Sequence, residues 1–162
     1  NYADVLYDGE ILPFDNKYFD SLLSNQVFEH VFNPNQFLKE ANRVAKIDAM
    51  FLITVPFVWD EHEQPYDYSR YSSFGLKHIL SKHGFEIIEQ RKSNNGLEVI
   101  FQLINDYIFK TTLSRNKYIN LISMLILMAP INIIGLFVSK VFPNNNDLYL
   151  DNIVLAKKVR DV

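Results

Sequence analysis

The apolar positions alternate along the chain between two spacings. Ala3 to Tyr7 is a short apolar run closed by the turn signal Asp8-Gly9, and it reads as a strand. Asp20 to Ser24 reads as a second short strand. Asn33-Pro34 then supplies an N-cap and a first-turn proline, and Phe37, Leu38, Ala41 and Val44 fall on one helical face. Met50 to Val55 is continuously apolar and rich in β-branched residues, which predicts a strand covered on both faces and ended by Pro56. Phe57 to Tyr71 has no period and reads as a long loop. Ser72 or Ser73 caps a further helix with Leu76, Ile79, Leu80 and His83 on one face, and Gly84 fits its left-handed end. Phe85 to Glu89 is strand-like, Leu97 to Phe109 helical, and Tyr149 to Ala156 a last strand.

This order predicts an α/β sandwich with a mainly parallel sheet. The last two strands have no simple crossover helix between them, so they can pair antiparallel with the helical stretch as an excursion. That stretch is unusual. Ile119 to Ser139 carries no charge and is close to a bilayer core in length, but Pro130 divides it and Asn120, Ser123 and Asn132 lie inside it. Three readings stay open: a transmembrane helix, a pair of helices covering a site or resting on a membrane, and plain core burial.

With 162 residues, the chain is long enough for one domain with a sizeable core. Its 48% hydrophobic and 22% charged residues are ordinary for a globular protein, and the net charge of −3 has no basic stripe, so no nucleic-acid partner is expected. The absence of cysteine excludes disulfides and thiolate metal sites. The first residues are not a signal peptide. Asp60, Glu61, His62 and Glu63 are ligand types, but their loop has no frame to converge them, and no metal is expected there.

Three stretches in order resemble the class I S-adenosylmethionine (SAM)-dependent methyltransferases, in particular the small-molecule branch that includes quinone-biosynthesis enzymes. The first is Asp8-Gly9-Glu10-Ile11-Leu12-Pro13-Phe14 with Phe19-Asp20. The second is Asn25 to Val31 (Asn-Gln-Val-Phe-Glu-His-Val) with Asn33-Pro34, Glu40 and Arg43-Val44. The third is Thr54-Val55-Pro56 followed by His62, Pro65, Asp67-Tyr68, Arg70-Tyr71 and Gly75-Leu76. The resemblance runs from about Ala3 to Glu89. The family's Pro-Gly-Gly before its fifth strand is replaced here by Lys46-Ile47-Asp48-Ala49.

The resemblance implies a Rossmann-like three-layer αβα sandwich with a reversed C-terminal strand. It implies one partial methyltransferase domain over 1–162, with a helical apolar insert at about 97–142. The family's glycine-rich turn and ribose-binding acid have no counterpart in the sequence. The expectation is therefore an N-terminally truncated fragment with its first strands missing, inactive by itself. SAM is the implied cofactor, and a small or lipid-linked molecule the methyl acceptor. Asp8, Gly9, Asn25, Gln26 and His30 are the implied cofactor residues; by residue type alone Asp8-Gly9 reads as only a tight turn. His62, Asp67, Arg70 and Tyr71 are the implied catalytic residues, with His62 the base for a hydroxyl acceptor. The plain alternative packs Tyr66, Tyr68 and Tyr71 in the core and pairs Asp67 with Arg70 structurally. Glu29-His30 can be read as an acid/base pair, but the favoured reading is that Glu29 caps or orients the following loop while His30 packs beside the cofactor. A cytoplasmic location is expected, with peripheral membrane contact through 118–142. The rival reading is a non-catalytic Rossmann-like binding or membrane-associated accessory module.

Overall fold

The computed structural model, which describes residues 3–162, divides the chain into two compact units. The first holds the residues through Arg91 together with Asp151–Val162, and the second is Lys92–Leu150.

The first unit is built on four strands: β1 (Phe19–Asn25), β2 (Ala45–Pro56), β3 (Phe85–Lys92) and β4 (Asp151–Lys158). Their order in the sheet is β1-β2-β4-β3. β1 runs parallel to β2, with Leu22 opposite Phe51 and Asn25 opposite Thr54. β4 runs antiparallel to β2, with Phe51 opposite Ala156 and Ile53 opposite Val154. Beyond it, Val159 N–H donates to the Gly84 carbonyl and Asn95 bridges Tyr149 antiparallel, so β3 and β4 also run in opposite directions. The last two strands are thus antiparallel neighbours, as the sequence suggests. β4 is the one reversed strand, set between two that share a direction.

Helix α1 (Pro34–Val44) starts where the sequence signals it, with the Asn33 side chain accepting from Gln36 N–H. Helix α2 (Ser73–Lys82) is capped by Ser72, whose Oγ accepts from Gly75 N–H. Gly84 follows at φ +79°, and a Cβ there would lie 2.5 Å from the Arg160 carbonyl oxygen, so glycine is required for both shape and space. Leu38 and Ala41 of α1 and Leu76 and Leu80 of α2 pack with Phe28 on Phe51, Ile53, Val55, Val154 and Ala156. Lys158 is fully buried beside this core. Its Nζ donates to the Asn42 and Ala45 carbonyls at the end of α1 and pairs with Asp161 at 2.6 Å.

Three expectations are revised. Ala3–Tyr7 forms no strand. β2 alternates instead of being covered on both sides: Phe51, Ile53 and Val55 are buried, while Leu52 is 38% exposed and its face neighbours Leu23 and Ile88 are exposed too. The apolar run masks this alternation because both faces carry hydrophobic residues. β2 also begins earlier than expected, through a register shift opposite Phe19–Ser21. Asp48 there takes the left-handed conformation (φ 68°), and it pairs with Lys157 at 2.6 Å.

In the second unit, α3 (Leu97–Thr112) packs on the continuous helix formed by α4 (Lys117–Ser123), a π turn (Met124–Met128) and α5 (Ala129–Val141). Pro130 does not divide this helix. The wider π turn just before it accommodates the missing N–H and the ring. Asn105 of α3 is buried and donates to Asn132 at 2.5 Å, and Thr112 and Ser123 share a hydrogen bond of 2.8 Å. A Cβ on Gly135 would lie 2.7 Å from the Phe101 ring, so a small residue sets this approach. The polar and small groups lie between the helices and many of the large apolar ones face outward.

The alternation of β2 has a measurable consequence. Phe51→Ala should destabilise the first unit by about 3–5 kcal/mol, the usual cost of truncating a buried phenylalanine. Leu52→Ser, on the exposed face, should stay within about 0.5 kcal/mol of the parent. Chemical denaturation of both variants checks this, and equal losses would contradict the one-sided packing.

Candidate active site

The site begins with the way the chain leaves β1. Gln26 turns at φ 51°, and a 3₁₀ turn over Phe28–His30 carries Phe28 and Glu29 inward. Phe28 stacks on Tyr71 at 5.0 Å between ring centroids and meets Phe37 at 5.7 Å. Glu29 is fully buried, and neither of its carboxylate oxygens has a hydrogen-bond partner among the described residues. Burial pushes its pKa up, against the pull of nearby His30, His62 and Arg70. His30 is half-buried, with Nδ1 2.7 Å from the Tyr66 carbonyl oxygen.

The segment before β1 is held by α1. Glu40 and Arg43 pair at 2.7 Å. Glu40 Oε2 accepts from Leu12 N–H, while the Arg43 guanidinium donates to the carbonyls of Leu12 and Phe14 and to Asn16 Oδ1. Gln36 Nε2 donates to the Glu10 carbonyl. These bonds grip the backbone of the Leu-Pro-Phe turn and so locate the Asp8-Gly9 turn ahead of it. Asp8 Oδ1 accepts from Glu10 N–H (2.9 Å) and Ile11 N–H (3.3 Å), which holds its pKa below the usual range. Gly9 has φ +94° and open space on its Cβ side.

The loop after β2 is organised by one ion pair. Arg70 Nη1 and Nη2 donate to Asp67 Oδ1 (2.5 Å) and Oδ2 (2.6 Å), and Arg70 also donates to the Asp60 and Ser69 carbonyls. Asp67 in turn accepts from His62 N–H at 3.0 Å. The guanidinium beside it keeps the Asp67 carboxyl well below the ordinary carboxylate range. His62 Nδ1 lies 3.2 Å from the Asp60 carbonyl oxygen, and its ring meets His30 edge-on at 4.8 Å.

Between these segments, beyond the carboxyl ends of β1 and β2, lies an open cleft of about 830 Å³. This is where ligands sit in open α/β sheets, and the volume suits a cofactor-sized molecule. Asp8, Gly9 and His30 line it, together with Tyr66 and Tyr68 from the loop and Phe32. Asn25 and Gln26 are not among its lining residues. Thr54 Oγ1 donates to Asn25 Oδ1 at 2.6 Å, and Gln26 Nε2 donates to Asp151 Oδ1 at 3.2 Å, so both side chains tie strand ends together. Tyr71 packs on Phe28 in the core, whereas Tyr66 and Tyr68 are exposed at 63% and 44%. His62, Asp67 and Arg70 form one connected group behind the cleft wall that His30 provides. The burial of Glu29 has no signal in the sequence beyond its place in a Glu-His pair. The cleft role of Phe32, which meets Tyr68 edge-on at 5.3 Å, has none.

Residues 3–53 match a family described as a methyltransferase domain. No curated protein matches the chain. Among solved structures, the [4+2]-cyclase SpnF is 15% identical over 96% of this chain and 55% of its own, with a TM-score of 0.59. Haemonchus contortus phosphoethanolamine N-methyltransferase 2, solved with SAM, is 18% identical over 91% of this chain and 35% of its own, with a TM-score of 0.54. A SAM-dependent methyltransferase from Archaeoglobus fulgidus is 19% identical over 90% and 62%, with a TM-score of 0.50. The chain therefore spans between a third and three-fifths of the length of these structures. The fold is the Rossmann-like fold of these proteins. The match to a methyltransferase domain is confined to residues 3–53, and the solved structures establish the fold.

The Glu40–Arg43 clamp generates a prediction. Arg43→Ala should cost about 2 kcal/mol, the range for hydrogen bonds to a charged group, and should speed hydrogen exchange at the Leu12 amide. Glu40's pKa is lowered, chiefly by its hydrogen bonds from Arg43. Its contribution is therefore complete above the unfolded value, about 4.3, and is lost as pH falls through the lower folded value. Glu40→Gln should flatten that acid limb of the stability curve. An unchanged acid limb would show that the clamp does not contribute.

Proposed function

We propose that this protein transfers a methyl group from SAM to a small or lipid-linked acceptor. The observation that carries the reading is the cleft beyond the ends of β1 and β2, which gathers Asp8, Gly9 and His30 against the loop of His62, Asp67 and Arg70. Asp8 keeps an exposed carboxylate for the adenine amino group, and Gly9 leaves room for close approach. The aromatic and aliphatic lining suits the uncharged parts of the cofactor. Methyl transfer from a sulfonium needs in-line alignment above all, so a rigid acceptor loop is the main requirement. The bidentate Asp67–Arg70 pair supplies that rigidity and holds His62 behind His30 at the cleft wall.

The same reading places the protein in the cytoplasm, with the second unit in contact with a membrane. Lys117–Val141 is a helix of 25 residues whose most apolar 18-residue stretch has a mean hydropathy of 2.4 and is only 6% buried, long and apolar enough to cross a bilayer. Polar and small residues between helices with apolar residues outside is the arrangement used within lipid. A lipid-linked acceptor is in keeping with such a surface.

Two measurements test these statements. With the family's glycine-rich turn and ribose-binding acid joined ahead of the chain, and with the natural acceptor, His62→Ala should lower turnover roughly a hundredfold or more, with SAM affinity nearly unchanged. Arg70→Lys should act in the same direction, because an ammonium cannot reproduce the bidentate pair. Full turnover by His62→Ala would remove the loop from the reaction. In flotation assays the protein should rise with anionic liposomes, and Leu125→Lys with Ile133→Lys should weaken this. A protein that never floats would refute membrane contact.

A further inference from the structure

Glu29, His30 and His62 each offer a ligand atom, and these atoms all lie within 4.8 Å of one another. We propose that these three side chains form a binding site for a zinc-class divalent cation at the wall of the cleft.

Four features build the site. Glu29 is fully buried, and neither carboxylate oxygen makes a hydrogen bond among the described residues, so both oxygens keep free lone pairs for a ligand. Arg70, whose charge also acts on Glu29, is bound to Asp67 through both terminal nitrogens, with Nη2 3.4 Å from His62 Nδ1. Each imidazole sets Nδ1 against a backbone carbonyl, His30 against Tyr66 and His62 against Asp60. Donation from Nδ1–H leaves Nε2 with the lone pair, the usual outer-shell arrangement of a metal-ligating histidine. The His30 Nε2 lies 3.8 Å from Glu29 Oε1, and the exposed Glu63 carboxylate reaches to 4.0 Å from the same nitrogen as a further candidate ligand.

Two imidazoles and one carboxylate suit zinc or a similar transition metal rather than magnesium or calcium, which prefer all-oxygen shells. Ligand atoms around a tetrahedral zinc lie about 3.3 Å apart, so the three groups need to close by only about 1.5 Å. The loop that carries His62 is joined to the other two ligands by Tyr68 N–H, which donates to the Glu29 carbonyl, and by the Tyr66 carbonyl at His30. Of the three side chains, His30 lines the cleft, so a cation held here would sit at its wall. The inference does not depend on methyl transfer, since it concerns binding of the metal alone.

The test uses the protein without a polyhistidine tag, stripped with chelator and titrated with Co²⁺ and Zn²⁺. One equivalent of Co²⁺ should bind and give visible absorption bands of a low-symmetry, nitrogen-ligated ion, and Zn²⁺ should displace it. His30→Ala, His62→Ala and Glu29→Gln should each weaken binding at least about tenfold, whereas His78→Ala, on the exposed face of α2, should not change it. Because Glu29 is buried and its variant is the one most prone to misfold, the two histidine variants decide the matter by themselves. Absence of a saturable site, or binding that survives His62→Ala, would overturn the proposal while leaving the methyltransferase reading untouched.

Discussion

The functional end of this protein depends on the grip of α1 on the chain that precedes β1. Residues 10–16 form no helix or strand and donate no sheet hydrogen bonds, so side chains must hold them. Glu40 and Arg43 satisfy one amide and two carbonyls of that stretch at once, and Arg43 adds the Asn16 side chain. An ion pair on the surface contributes little, but here the pair is anchored to backbone groups and Glu40 is buried. The clamp explains why a Leu-Pro-Phe turn and a Glu-x-x-Arg on the next helix occur together. One is the object held and the other is the hand.

Much of the scaffold was legible in the chain. Asn33-Pro34, Ser72 and Gly84 are local signals, and each acts within a turn of its own position, so α1 and α2 begin and end where those residues imply. The reversed last strand followed from the lack of a crossover helix. Other features were set by distant partners. Ala3–Tyr7 has a strand's composition and no strand beside it. Phe51 and Leu52 are both apolar, and only the position of α1 and α2 decides which is buried. Pro130 breaks helices in general, yet a π turn one residue upstream lets this helix continue.

The site residues divide in the same way. The Asp67–Arg70 pair is three residues apart and could be anticipated from spacing. Tyr71 could not be separated from Tyr66 and Tyr68 by type, and the structure sends it to the core and them to the cleft. The meeting of His62 with His30 joins two loops 32 residues apart, which no local pattern encodes. The fold leaves the reaction open, since a [4+2]-cyclase shares it with methyltransferases. The chemistry must be argued from the groups that line the cleft and those behind its wall.

The strand order carries a consequence for how the chain is made. β4 comes last among the strands in sequence, yet it lies between β2 and β3. During synthesis, β3 emerges with no neighbour to receive its edge hydrogen bonds, and β2 has only β1. The gap stays open while about sixty residues of apolar helices are translated, roughly 3–12 s at ordinary ribosome speeds. For that interval the nascent protein presents two unpaired edges beside a hydrophobic hairpin, the combination that invites wrong pairing. Its escape from the ribosome is therefore a race between insertion of the final strand and capture of those edges by a neighbouring chain, and a chaperone or a waiting bilayer would shift the odds.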